Sequence, residues 1–175
     1  MPEGRTNPVI RPAFATLATI DVPAPDYLDL IAVPLSDGAP DDPRLWAEVI
    51  FSPGSAPLWV IAAMGVRQLL APLLGASRGE RHVFDVDRVV GEEALIVFDD
   101  RHLDFRCGVG VDPAARLVRV TTAVRLHGWR GRVYFTPVRL AHPAVVHGML
   151  RRAARRLGRP RTARRLARRS ARARG

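Results

Sequence analysis

The sequence predicts an α+β domain: an antiparallel β-sheet of about five or six strands wrapped on a long C-terminal helix, with two short helices between the first strand and the meander. Three observations carry that expectation. From Ser77 to Val138 the hydrophobic pattern has a period of two, broken by short turn sequences. Before it, apolar residues recur at three- and four-residue spacing, and after it a single helical stripe runs from Leu140 to Leu157. The 175-residue chain has one cysteine, Cys107, so it forms no internal disulfide. A domain of this length buries roughly 70% of the surface of its unfolded chain and needs no covalent staple.

Taken in order, residues 1–25 are proline-rich, lack periodicity and read as an irregular N-terminal arm. Tyr27, Leu28, Leu30, Ile31 and Val33 suggest a first strand, ended by the Asp- and Pro-rich stretch from Ser36 to Pro43. Asp42 before Pro43 is an N-cap followed by proline at the first helical position, and Leu45, Trp46, Val49 and Ile50 follow at helical spacing. A second helix is expected where Leu58, Trp59, Ala62, Ala63, Val66, Leu69, Leu70 and Leu73 recur, ending before Gly75.

Within the meander, Leu103, Phe105, Cys107, Val109 and Val111 alternate with His102, Asp104, Arg106, Gly108 and Gly110. Val118, Val120, Thr122, Val124 and Leu126 resume the alternation. A four-residue loop over Asp112–Ala115 would set Val109 opposite Val118 and Phe105 opposite Thr122, so that the apolar faces coincide. A second loop over Gly128–Gly131 would set Leu126 opposite Val133 and Val124 opposite Phe135, adding a third strand. Shorter runs at Val83–Val90 and Ala94–Phe98 extend the sheet to a usual size. One apolar face needs a cover, which Leu140, Val145, Val146, Met149, Leu150, Ala153 and Leu157 provide. Gly158 and Pro160 interrupt that helix. The domain is thus expected over 26–157, followed by a basic Arg/Ala-rich tail over 158–175.

The formal charge of +10 is unevenly placed. Residues 151–175 carry 12 Arg and no acid, so the tail is +12 and the body −2; the chain has no Lys. Arg151, Arg152, Arg155 and Arg156, repeated by Arg164, Arg165, Arg168 and Arg169, make a basic helical face suited to nucleic acid or an anionic membrane surface. The same Arg/Ala bias is what a GC-rich genome would produce. The N-terminus has no apolar run of the secretory kind, and the uncharged stretch Val49–Val66 is broken by Pro53, Gly54 and Pro57, so a cytoplasmic location is expected.

Most common chemistries lack their parts. None of the five histidines pair at i, i+4, and His142 and His147 point about 140° apart on a helix, so no metal is expected. There is no nucleophile elbow, Walker loop or zincin helix. Cys107 reads as a small core residue, with no adjacent group to lower its pKa. His142, with Tyr134 or Arg106 near a pocket mouth, is a candidate acid–base group, although no orienting partner is visible beside it. Arg106, Arg119 and Arg125 share the mixed face with Asp104, either as a surface ion-pair lattice or as an anion-recognising patch.

The order strand, two helices, meander, long helix resembles the helix-grip arrangement of START-like and pollen-allergen-like ligand-binding domains. Local sequences sharpen this: Trp59 with Arg67, the run from Asp100 to Arg106, Thr121 to Val124, and Gly131 to Tyr134 followed by Pro137 and His142. Together they resemble the bacterial family called domain of unknown function 2867, over roughly Asp21 to Leu157. Gln68 stands where the resemblance implies an acidic residue after Arg67. It also implies association with an NAD(P)-dependent oxidoreductase, because relatives can be fused to a Rossmann-type unit. No cofactor is expected in this chain itself, since Gly108 and Gly110 lie in a strand and precede no helix.

The leading expectation is a small, largely apolar ligand enclosed between sheet and C-terminal helix. Its liners would be Phe105, Cys107, Val120, Thr122, Val124, Phe135, Val146 and Met149. The alternatives are an enzyme acting on a polyketide-like or aromatic molecule through His142, Tyr134 and Arg106, attachment to nucleic acid or an anionic surface through the tail, and a solid core with no cavity.

Overall fold

A computed structural model of the chain describes residues 16–52, 84–99, 101–159 and 171. In chain order these form α1 (Leu17–Asp21), β1 (Tyr27–Pro34), α2 (Pro43–Ile50), β2 (Val86–Val90), β3 (Glu93–Asp99), β4 (Leu103–Asp112), β5 (Leu117–Leu126) and α3 (Gly128–Leu157). The five strands make one antiparallel sheet in the order β1-β5-β4-β3-β2. The α+β class and the long C-terminal helix are therefore as expected. The expected helix over Leu58–Leu73, with Trp59 and Arg67, lies outside the described residues, as do Arg164, Arg165, Arg168 and Arg169.

Alternation decides which face is buried. On β4, Cys107, Val109 and Val111 point to one side, joined by Val118, Val120 and Val124 of β5 and by Ala94 and Ile96 of β3; all are at most 1% exposed. This face is covered by α2, through Leu45, Trp46, Val49 and Ile50, and by α3, through Val146, Met149, Leu150, Ala153 and Leu157. Asp42 starts α2 as the sequence implies, its carboxylate accepting from the backbone N–H groups of Arg44 (2.9 Å) and Leu45 (3.3 Å). Trp46 is fully buried, and its indole N–H donates to the Pro40 carbonyl at 2.7 Å, which spares the core an unpaired donor.

The other face carries a smaller layer. Residues 17–21, within the segment expected to be an irregular arm, form α1, whose Ala18 packs with Val22 against Leu95 and Ala123. A five-residue helix is too short to persist alone. Glu93 holds one end, accepting from the Thr16 hydroxyl (2.6 Å) and the Leu17 backbone N–H (3.0 Å), and Asp21 at the other end pairs with Arg106 and Arg88.

Two expectations need correction. Residues 131–138 are not a third meander strand; Val133 and Phe135 lie in α3, which begins at Gly128 with φ +66°. The reason is that β5 has no free edge. All eight residues of β1, from Tyr27 opposite Val124 to Pro34 opposite Leu117, already pair with it. The β4–β5 hairpin is also displaced by two residues: Val109 faces Val120, and Phe105 faces Val124. Asp112 stays in the ladder opposite Leu117, its carboxylate accepts from the Ala115 N–H at 2.7 Å, and Arg116 closes the turn with φ +55°. A shift of two preserves the side-chain period, so the shared apolar face survives.

Candidate functional site

The inward row of β1 is Tyr27, Asp29, Ile31 and Val33, opposite Val124, Thr122, Val120 and Val118 of β5. A carboxylate therefore sits on the core face of the sheet, with its side chain 15% exposed. Continuing across the sheet from Asp29, the row passes through Thr122, Cys107 and Ile96. From above, α3 brings His142, 16% exposed, whose Nδ1 lies 2.9 Å from Asp29 Oδ2. The Tyr27 hydroxyl donates to the same oxygen at 2.7 Å. The Tyr27 ring meets His142 edge-on at 5.6 Å between centroids and Phe135 edge-on at 5.2 Å.

The protonation pattern follows from the acceptor. Burial alone would raise the Asp29 carboxyl, but the hydrogen bonds from His142 and Tyr27, with the charge on the imidazole, hold it below the ordinary carboxylate range. An ionised carboxylate only accepts, so Nδ1 carries the proton, and whenever the ring is uncharged the lone pair lies on Nε2. Among the described residues no protein group bonds Nε2. Burial, and then the hydrogen bond and charge of Asp29, push the Tyr27 hydroxyl up, so it stays a donor. Asp29 Oδ1 is buried without a well-formed hydrogen bond; Thr122 across the pair favours its charge but does not complete that bond.

Beside this cluster a half-open cleft of about 200 Å³ lies where the start of β1 and the end of β5 meet the start of α3. Its apolar walls are Tyr27, Leu126 and Phe135, and its polar rim is Asp26, Arg132, Thr136 and Arg139. Asp26 is engaged by the Leu126 backbone N–H at 2.7 Å. Arg132 and Arg139 are exposed and have no ion-pair partner among the described residues. The helix positions lining the cleft, 132, 135, 136 and 139, share one face, and 142 is the next position along it.

The fold brings some of the sequence candidates together. Cys107, Val120, Val146 and Met149 belong to one buried cluster, Phe105 packs against it, and Thr122, Val124 and Phe135 are buried. Of these eight, Phe135 also lines the cleft. Burial and then the charges of Asp29 and Glu93 push the Cys107 thiol up, so it remains protonated at neutral pH. His142 is in the site, but Arg106 is not: it projects from the opposite face of the sheet, paired with Asp21 and Asp99. That pairing also removes it from the expected anion patch, whose Asp104 lies directly opposite Arg125 and accepts from His127 at 2.9 Å. The Tyr134 side chain lies outside the described residues. Arg151, Arg152 and Arg155 are exposed on α3, and Arg156 is half-buried, donating to the Ser52 hydroxyl at 3.3 Å.

Asp29, Tyr27, Arg132 and Arg139 were absent from the sequence candidates. A signal for Asp29 was present: it is in phase with Tyr27, Ile31 and Val33, so a carboxylate occupies a core parity. Among the described residues no group of three or more His, Cys, Asp or Glu side chains is placed to hold a metal ion, and no helix is long and apolar enough to cross a membrane.

The profile of a protein family described as "Protein of unknown function (DUF2867)" matches residues 22–149, which include both the dyad of Asp29 with His142 and the cleft. No curated protein and no solved structure matches the chain.

Proposed function

The chain belongs to the DUF2867 family, and from that premise we propose that its domain binds a small planar molecule with an apolar body and an anionic group. The observation that carries this reading is the pairing, in one cleft, of an aromatic corner (Tyr27 and Phe135) with two arginines that have no ion-pair partner among the described residues. The cleft of about 200 Å³ is half open, so a ring seated in it keeps one side toward solvent. The edge-to-face corner favours an aromatic or conjugated body. The guanidinium groups at the rim favour a carboxylate, enolate or phenolate over a neutral group. This is a helix-grip reading in which the ligand is held where the long helix leaves the sheet, at one end of the buried cluster.

Calorimetric titration with 2-naphthoate tests it. Saturable binding is expected, weakened at least 10-fold in an Arg132→Gln/Arg139→Gln double variant, since two charge-assisted contacts contribute about 1.5–3 kcal/mol each. Absence of binding to the wild-type chain, or equal affinity in the folded double variant, would sink the reading.

A further inference from the structure

A binding cleft does not require what lies against it: a buried carboxylate holding both an imidazole and a phenol, with its second oxygen left without a well-formed hydrogen bond. If the pair served only to fasten α3 to β1, apolar packing would do so at less cost. The arrangement instead fixes His142 in one tautomer, with Nδ1–H toward Asp29 and the Nε2 lone pair without a protein partner among the described residues. Asp29 also stabilises the imidazolium that forms when Nε2 takes a proton. His142 stands just outside the cleft lining, one step along α3 beyond Arg139, and Tyr27 is shared by the dyad and the cleft wall.

We propose that the domain is a proton-transfer catalyst in which His142 Nε2 is the general base. Its substrate is a planar carbon acid whose conjugate base is an anion. This rests on the binding reading above and deepens it by giving the bound molecule a reaction. In the step, the substrate C–H bond breaks, its proton goes to Nε2, and its electron pair delocalises onto a substrate oxygen. Arg132 and Arg139 stabilise the charge developing on that oxygen. The imidazolium then returns the proton to another carbon of the same substrate, giving an isomer, or to water. No oxidant, reductant or metal enters the balance. His142 is the catalytic residue, and Asp29 and Tyr27 are positioning residues.

The test uses 5-nitrobenzisoxazole, a planar carbon acid. Removal of its C3 proton forms the nitrile as the N–O bond breaks, and releases a coloured cyanonitrophenolate. The full-length chain is expected to exceed equimolar free imidazole by roughly 100-fold or more. His142→Gln is expected to fall to the imidazole level. In His142→Ala, added imidazole is expected to restore turnover. Asp29→Asn is expected to lower kcat at least 10-fold with KM unchanged, a split that a merely structural role would not produce; this variant carries the test if the His142 variants do not fold. Wild-type turnover in folded His142→Gln overturns the proposal. So does a wild-type rate no greater than free imidazole while 2-naphthoate still binds, which leaves the cleft standing. Failure of both turnover and 2-naphthoate binding overturns the two readings together, and turnover without 2-naphthoate binding supports the base alone.

Discussion

Asp29 shows how a single polar residue at an inward position organises a site. Its neighbours two residues away, Tyr27 and Ile31, face the core, so strand parity alone carries the carboxylate under α3. There it is stabilised as an anion by two donors from different elements, one of them 113 residues distant. The strand is legible in the sequence, and so is the parity; the partner is not, because His142 reaches Asp29 only through the packing of α3 on β1. Gly108 makes a comparable point on the opposite face. A Cβ there would overlap Glu93 Oε1, and Glu93, 5% exposed, is the residue that holds the start of α1. Gly108→Ala is therefore expected to cost about 1–3 kcal/mol in urea unfolding, with Thr16–Asp21 losing hydrogen-exchange protection. Unchanged stability would show that the Glu93 carboxylate can leave its two partners freely.

At the scale of elements, local signals placed α2, β1, β4 and β5 well, because each carries its own punctuation. Asp42 is the clearest case, and Asp42→Ala is expected to lower stability by about 1 kcal/mol, measured by thermal or urea unfolding, with α2 fraying from its first turn. A cost below 0.3 kcal/mol, as order of magnitude, would mean that the burial of Leu45 and Trp46 alone holds the helix start. The long helix was legible only in its second half. Before Val145 it exposes Trp129 (70%), Val133 (65%) and Leu140 (76%) and contains Pro137 and Pro143, so neither its amphipathic stripe nor its proline content announces a helix. Both prolines are exposed, which leaves the carbonyls they deprive of partners accessible to water. The cleft depends on this half of α3. A strand over 131–138 would put Arg132 and Phe135 on opposite faces, whereas a helix collects them with Arg139 on one.

For the whole molecule, the titrating groups define a window of stability. The Asp21 carboxyl is lowered, chiefly by its hydrogen bond to Arg106, and Asp29 is lowered despite its burial. Groups depressed on folding contribute stability that is present above their unfolded pKa, about 3.9, and lost as pH falls through the folded values. Tyr27 and Cys107 are raised, each first by burial. Their contribution is present below the unfolded values, about 10 and 8.5, and is lost as pH rises above them. A plateau in Tm between about pH 5 and pH 8 is expected, with a decline on both sides, and Asp29→Asn should make the acid decline shallower. A Tm that is flat down to pH 3, or an acid limb identical in that variant, would contradict the assignment. By itself the sequence determined the α+β class, the apolar faces of β4 and β5, the start of α2 and the buried stripe that ends α3, since each is written in residues a few positions apart. Only the tertiary structure decided that β1 takes the edge of β5. That pairing is long-range: it denies residues 131–138 a strand partner, turns them into helix, and so sets His142 over Asp29 and the arginines beside Tyr27.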